Sequence, residues 1–382
     1  MRGWGTLILL AAPGLLGAAE PSPAGYASDA KALDTLIADN YAYLDRFPDG
    51  KAPASPQLAA ERDAVHDRDS LLRYAEDAIT ALADHHAITG SSFKDDYALV
   101  PTYADLWIVR GAGGYVIDAV RPDSPAAKAG VTVGEKLVAV GGVPIDQALT
   151  GFWGRIGLDA AGERGPYGAR VLAAGRRHQP RVLTLSGTGG AKTLTLPSLY
   201  DDHVDQPTLT TDGTTIRINN SLGDAATIAA FDAAMAAIPA NAPVTIDLTD
   251  TPSGGNTSVA RAVMGWFVTK ASPYQVHNLP SEERETGIAR QWAEQVLPRA
   301  GKYHAGPVTV RVGRWTGSMG EGMAIGFAAL GKRVCGTRMA GLRGAVYDFT
   351  LPASGMTVKF PAERLFTVGG VPRADFLPLS CK

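Results

Sequence analysis

Val308-Thr-Val-Arg-Val-Gly-Arg-Trp-Thr-Gly-Ser-Met-Gly-Glu-Gly322 passes from a β-branched run through a glycine-rich turn into Met323-Ala-Ile-Gly-Phe-Ala-Ala-Leu330. The opening five residues alternate valine with polar side chains and predict a strand. The closing stretch lacks a β-branched run and predicts a helix. Ser318 falls at the turn between them. Backbone amides and the positive end of the helix dipole favour a developing negative charge there, which suits a nucleophilic hydroxyl. The same local pattern also describes an ordinary N-cap serine.

The neighbouring sequence repeats the strand-to-helix passage. Thr215-Ile-Arg-Ile218 predicts a strand, Ala225 to Ile238 a helix, and Val244-Thr-Ile-Asp-Leu248 a buried strand. That strand runs into the loop Asp250-Thr-Pro-Ser-Gly-Gly-Asn256, followed by a helix from Val259 to Val268; Arg333-Val-Cys335 returns as a strand. Alternation of this kind predicts an α/β fold. The loop at 250–256 lacks the Lys-Ser/Thr ending and the spaced glycines of nucleotide-binding loops. Its glycines let backbone approach a ligand closely, and two such loops at strand ends can converge on one site.

Upstream the pattern becomes β-rich. Tyr115 to Val120 is a strand preceded by Gly111-Ala-Gly-Gly114. Ser124-Pro-Ala-Ala-Lys-Ala-Gly130 predicts a short helix with Ser as N-cap, Pro in the first turn and Gly as stop. Lys136 to Val140 is a strand, Gln147 to Ile156 a helix, and Arg181–Leu185 with Lys192–Leu196 a hairpin. Residues 20 to about 104 read as mainly helical. In Ser70 to Ala83, Leu71, Leu72, Ala75, Ile79 and Leu82 fall near helical spacing, with Ser70 as the expected cap. Phe47 to Pro56 reads as a loop.

Composition bounds the function. With 382 residues, 45% hydrophobic and 19% charged, the chain builds a sizeable core. A net charge of −2 supplies no field for nucleic acid or an anionic membrane. Arg2, the short apolar run Leu7 to Leu16 and Gly17-Ala18-Ala19 predict an export signal cleaved near Ala19, with a retained anchor as the alternative. The mature protein is then expected to be periplasmic or secreted, without a membrane span. Cys335 and Cys381 are compatible with a disulfide in that compartment. No helical His-Glu-x-x-His pattern occurs among His66, His178, His203, His277 and His304, and no metal or cofactor motif is present.

Two segments carry a family resemblance. Ser124 to Gly130 together with Val133-Gly-Glu-Lys-Leu-Val-Ala-Val-Gly-Gly-Val-Pro-Ile145 resembles a PDZ domain. PDZ domains bind an extended peptide by strand addition, and the resemblance places the carboxylate loop at Gly111 to Tyr115, with Gly113, Gly114 and Tyr115 as its members. The loop Leu248 to Asn256 with Ser318 and Glu321 resembles the core of the C-terminal-processing (tail-specific) peptidases and of the related tricorn core. The resemblance implies a crotonase-like α/β core at 198–382, a PDZ-like domain at 105–197 and a helical region at 20–104, after the signal at 1–19.

It also implies an exported serine peptidase acting on peptide or protein substrates through an acyl-enzyme on Ser318. The Met319 amide and an amide of Gly254 or Gly255 are the implied oxyanion donors. One branch of the family pairs its serine with a lysine about 25 positions later, where this chain has Arg343, which cannot accept a proton. The tricorn-like branch uses a histidine ahead of the PDZ module. Asp84-His85-His86 occupies that place, with His86 as the implied base and His85 as the alternative. Glu363 is the implied late acid that orients the base; Glu321 is a second candidate, with stabilisation of the turn as its other role. The competing reading is a non-catalytic ligand- or peptide-binding protein on the same scaffold.

Overall fold

The computed structural model describes residues 20–201 and 206–381. The expected signal segment and His203 lie outside the described residues.

Five strands, Leu209–Asp212, Thr215–Ile218, Val244–Asp247, Val308–Val312 and Arg333–Gly336, lie side by side in that order. The first pair is antiparallel and the others are parallel, with Val244 opposite Val308 and Val310 opposite Val334. Parallel neighbours need long crossovers. Helices Ala226–Ala237, Thr257–Met264 and Met319–Ala329 provide them. Ile216, Ile246 and Val310 pack against Phe231, Met323 and Phe327 in one buried cluster.

Beyond the sheet, Asp250–Thr251 pairs in parallel with Trp315–Thr316. This short ladder brings the 250–256 loop and the Ser318 turn together, as the sequence suggested.

A second sheet is antiparallel, in the order Ile88–Thr89, Thr357–Phe366, Ser272–Asn278, Gln291–Val296, with Ala345–Thr350 also on Thr357–Phe366. Most of it went unread in the sequence. Its strands bury Gln275, His277 and Glu363, so polar residues stand where alternation would require apolar ones.

The middle segment forms an antiparallel sheet of Leu106–Gly111, Gly114–Val120, Lys136–Val140, Arg181–Gly187 and Gly190–Leu196, with Val143–Pro144 against Lys136–Val140. Ser124 caps the helix Pro125–Lys128 as expected. A further helix, Arg164–Ala174, packs beside the edge strand Leu106–Gly111. Gly165, Pro166 and Gly168 mask this helix in the sequence. Gly168 is required because a Cβ there would lie 2.7 Å from Leu149 Cδ2 and 2.9 Å from Trp153 Nε1.

The N-terminal helices are Pro23–Asn40, Pro56–Asp63 and Arg68–Ala81. The expected cap Ser70 is corrected to Asp67, whose side chain accepts from the Ser70 amide, while the Ser70 hydroxyl takes the Asp67 amide. This reciprocal arrangement places Ser70 three residues inside the cap. These helices share a core with Leu351, Met356, Val358 and Phe360 of the second sheet. The N- and C-terminal parts of the chain therefore pack together beside the turn that carries His85 and His86. Cys335 and Cys381 form a disulfide with Cα atoms 5.0 Å apart.

Candidate active site

Ser318 has φ 50° and ψ −113°. A capping serine has extended backbone, whereas a serine at this φ is strained by about 1–3 kcal/mol. The fold holds that strain at a single turn, and the turn carries the Ser318 hydroxyl to His86. Ser318 Oγ lies 2.8 Å from His86 Nε2.

The other ring nitrogen fixes the tautomer. His86 Nδ1 is 2.5 Å from the Arg343 carbonyl oxygen. A carbonyl only accepts, so Nδ1 carries the proton and the Nε2 lone pair faces the serine. Burial, and then the positive charge of Arg373, push His86 down to about 4, against smaller upward effects of the Arg343 carbonyl and Asp84. The ring is neutral at pH 7 and able to accept a proton.

The turn that carries His86 is held from below. Ala83 has φ 47°. Buried Asp84 accepts the His86 amide through Oδ1 at 3.0 Å and the Tyr41 hydroxyl through Oδ2 at 2.8 Å. The sequence offered no signal for Asp84 beyond its place beside two histidines.

Glu321 connects the Ser318 turn to the loop that meets His86. It is fully buried and accepts the Ser318 and Leu342 amides through Oε2, each at 3.0 Å, and the Gly341 amide through Oε1 at 2.9 Å. One carboxylate thus fixes the Ser318 turn and the loop whose next residue, Arg343, orients His86. Burial raises Glu321 to about 7, against the opposing Arg373 charge and the three amides. Arg373 in turn donates to the Leu342 and Gly344 carbonyls, both at 2.8 Å.

The 250–256 loop reaches the same point. Gly254 has φ 66°, and a Cβ there would lie 2.3 Å from Ser318 Cβ and 2.9 Å from both Ser318 Oγ and the Met319 nitrogen. Only glycine permits this approach, and the Met319 amide is brought to it. Gly255 faces elsewhere, because a Cβ there would lie 1.9 Å from the Leu222 carbonyl carbon. Asn220 holds the loop by accepting the Ser253 amide at 2.8 Å and donating to its hydroxyl at 2.9 Å.

Three expectations are corrected. Glu363 does not orient His86; it accepts from His277 Nδ1 at 2.6 Å and from the Tyr347 hydroxyl, and a backbone carbonyl fills the expected role. His85 points away from Ser318 and accepts from Arg170 Nε at 2.9 Å. Gly113 and Gly114, with φ 79° and 133°, form the tight turn joining two paired strands, and the Tyr115 side chain is buried. A carboxylate loop must lead into a strand edge open to a peptide, and the two strands this turn joins pair with each other. The Arg343 side chain leaves the serine clear and pairs with Glu163 at 2.7 Å.

No group of metal-ligating side chains and no helix long and apolar enough to cross a membrane occurs among the described residues.

The model of the PDZ domain matches residues 116–150. No curated protein is found to match the chain in sequence. Among solved structures, the chain is similar to mature CPAF complexed with lactacystin, with a TM-score of 0.58 and 14% identity over 93% of each chain. It is also similar to the photosystem II D1 C-terminal processing protease, with a TM-score of 0.54 and 15% identity over 92% of each chain. Identities this low speak for the fold. The chain therefore has the fold of the tail-specific, C-terminal-processing serine peptidases, with a PDZ domain within it.

Proposed function

We propose that the protein is an exported serine peptidase that cleaves peptide or protein chains through an acyl-enzyme on Ser318, with His86 as general base. The observation that carries this reading is the 2.8 Å contact between His86 Nε2 and Ser318 Oγ, with His86 Nδ1 committed to a carbonyl. A non-catalytic scaffold gains nothing from holding a strained serine against a neutral imidazole.

In this reading, His86 Nε2 takes the Ser318 hydroxyl proton as Oγ attacks the scissile carbonyl carbon. The carbonyl π pair moves to oxygen, and the oxyanion is met by the Met319 amide and an amide of the Gly254-Gly255 turn. Collapse breaks the C–N bond, and His86 returns its proton to the departing amine. Water then gives a proton to His86 and attacks the acyl carbon; Ser318 leaves with that proton, and the new carboxyl end is released. Imidazolium formed in passing is stabilised by the Arg343 carbonyl, so no orienting carboxylate is required.

The parallel-stranded unit is read as a crotonase-like core at 198–382, with the PDZ-like domain at 105–197 and the helical region at 20–104. An extended peptide would add at an outer strand of the PDZ-like sheet, and its two outer strands are Leu106–Gly111 and Gly190–Leu196.

A fluorophosphonate probe tests the reading on the mature protein beside Ser318→Ala and His86→Ala. Labelling of the wild type alone is expected. Equal labelling of all three would remove Ser318 from the chemistry.

A further inference from the structure

The second histidine of the pair is held with as much care as the first. The His85 ring stacks on Tyr167 of the helix Arg164–Ala174, with centroids 4.3 Å apart and planes 18° from parallel. Arg170 of that helix donates from Nε to His85 Nε2 at 2.9 Å, and from Nη1 to the Ile108 carbonyl on the edge strand at 2.9 Å. Its guanidinium also lies 5.0 Å over the Trp107 ring. Arginine never accepts, so His85 Nε2 is an acceptor and the ring is neutral.

The guanidinium of Arg170 has no carboxylate within salt-bridge distance among the described residues. Enclosing an unpaired charge is costly, and burial with the nearby Arg314 charge pushes Arg170 down to about 10. A residue kept only for packing would be apolar. The fork geometry explains the choice of arginine: one planar group ties the middle sheet to a single imidazole on the turn 83–87. On that turn the backbone is already fixed by Ala83 at φ 47° and by Asp84 on the His86 amide. Other contacts tie the turn to the N-terminal helices and the second sheet, through Tyr41, Arg46 and the Arg343 carbonyl; the His85–Arg170 pair adds its tie to the middle sheet.

We propose that His85 and Arg170 are positioning residues, through which the PDZ-bearing segment holds the His86 turn so that Nε2 stays on Ser318. The proposal rests on the peptidase reading. It assigns the adjacent histidines separate tasks: His86 moves the proton, and His85 is a fixed anchor.

The test uses the full mature chain, a fluorophosphonate probe and p-nitrophenyl acetate. His85→Phe keeps the stack on Tyr167 and removes the acceptor. Arg170→Leu removes the donor, and Arg170→Lys restores a cationic donor without the fork. A displacement of the base by about 1 Å costs on the order of 100-fold. His85→Phe and Arg170→Leu are expected to slow the labelling rate constant by about 10- to 100-fold, with the same final labelled fraction. The ester kcat should fall while KM holds, and Arg170→Lys should recover part of the rate. Structural damage alone would lower the labelled fraction and spare the rate constant of the remainder. Wild-type rate constants in both His85→Phe and Arg170→Lys overturn the proposal, even if Arg170→Leu fails to fold. If the wild type itself does not label at Ser318, the peptidase reading falls first and takes the proposal with it.

Discussion

Glu321 is where a local pattern and a distant contact meet. Three amides, those of Ser318, Gly341 and Leu342, converge on its two oxygens. Glu321→Gln places an amide group against at least one of these donors. Hydrogen bonds to a charged acceptor are worth about 1.5–3 kcal/mol each, so the variant should lose roughly that much stability by chemical denaturation. Its acylation rate should fall on the order of 10- to 100-fold, since the serine turn and the His86 acceptor both loosen. A variant with wild-type acylation would show that Glu321 serves the fold alone. His86 gives a second residue-level expectation. Because its ring titrates near 4, kcat/KM should keep its value as pH falls through 6.5 and show its acid limb near pH 4. An acid limb near 6.5 would mean that the ring is solvated in the free enzyme.

Among the elements, the PDZ-bearing sheet depends on one buried ion pair. Asp105 accepts Arg181 Nη1 at 2.7 Å and Nη2 at 3.0 Å, and also takes the Ala126 amide at 3.0 Å. The two side chains are almost wholly buried. Asp105→Ala leaves an unpaired guanidinium inside the sheet and should cost about 3–5 kcal/mol, read as a lower urea midpoint; a shift below about 1 kcal/mol would place Arg181 in contact with solvent. The same scale shows why some elements could be read in advance. Val308–Val312 and Lys136–Val140 match their expected bounds because β-branched runs end in glycine turns. Ser272–Asn278 was missed because Gln275 and His277 replace apolar side chains on its buried face. The Ser318–His86 pair spans 232 positions, so only a family resemblance could join them. The acceptor on His86 is a main-chain carbonyl, which every residue possesses, and side-chain reasoning led to Glu363 instead.

For the whole molecule, four groups of the two polar clusters around His86 and His277 contribute to the pH dependence of stability. His277 donates to Glu363 at 2.6 Å and lies 3.2 Å from Glu294. Burial disfavours its charge, but the bonds and charges of Glu294 and Glu363 outweigh burial and raise it from 6.5 to about 9. Its contribution is complete below pH 6.5 and is lost as pH rises through 9. Glu321, raised from 4.5 to about 7, loses its own contribution as pH rises from 4.5 through 7. His86 acts in the opposite sense: its pKa falls from 6.5 to about 4 on folding, so stability drops as pH falls through that window. Burial would raise Glu294, yet its bonds from His277, Tyr274 and Gln275 hold it near 2, so its contribution fades only below 4.5. His86 and Glu321 oppose each other between about pH 4.5 and 6.5. Above pH 7 His277 still titrates, beside Glu76, which burial and its bond to Asp96 raise to about 9, and both should lower the melting temperature up to pH 9. His277→Gln should lower the melting temperature at pH 6.5 and flatten the slope from pH 7 to 9. An unchanged slope in that variant would transfer the alkaline limb to another group and remove His277 from the linkage.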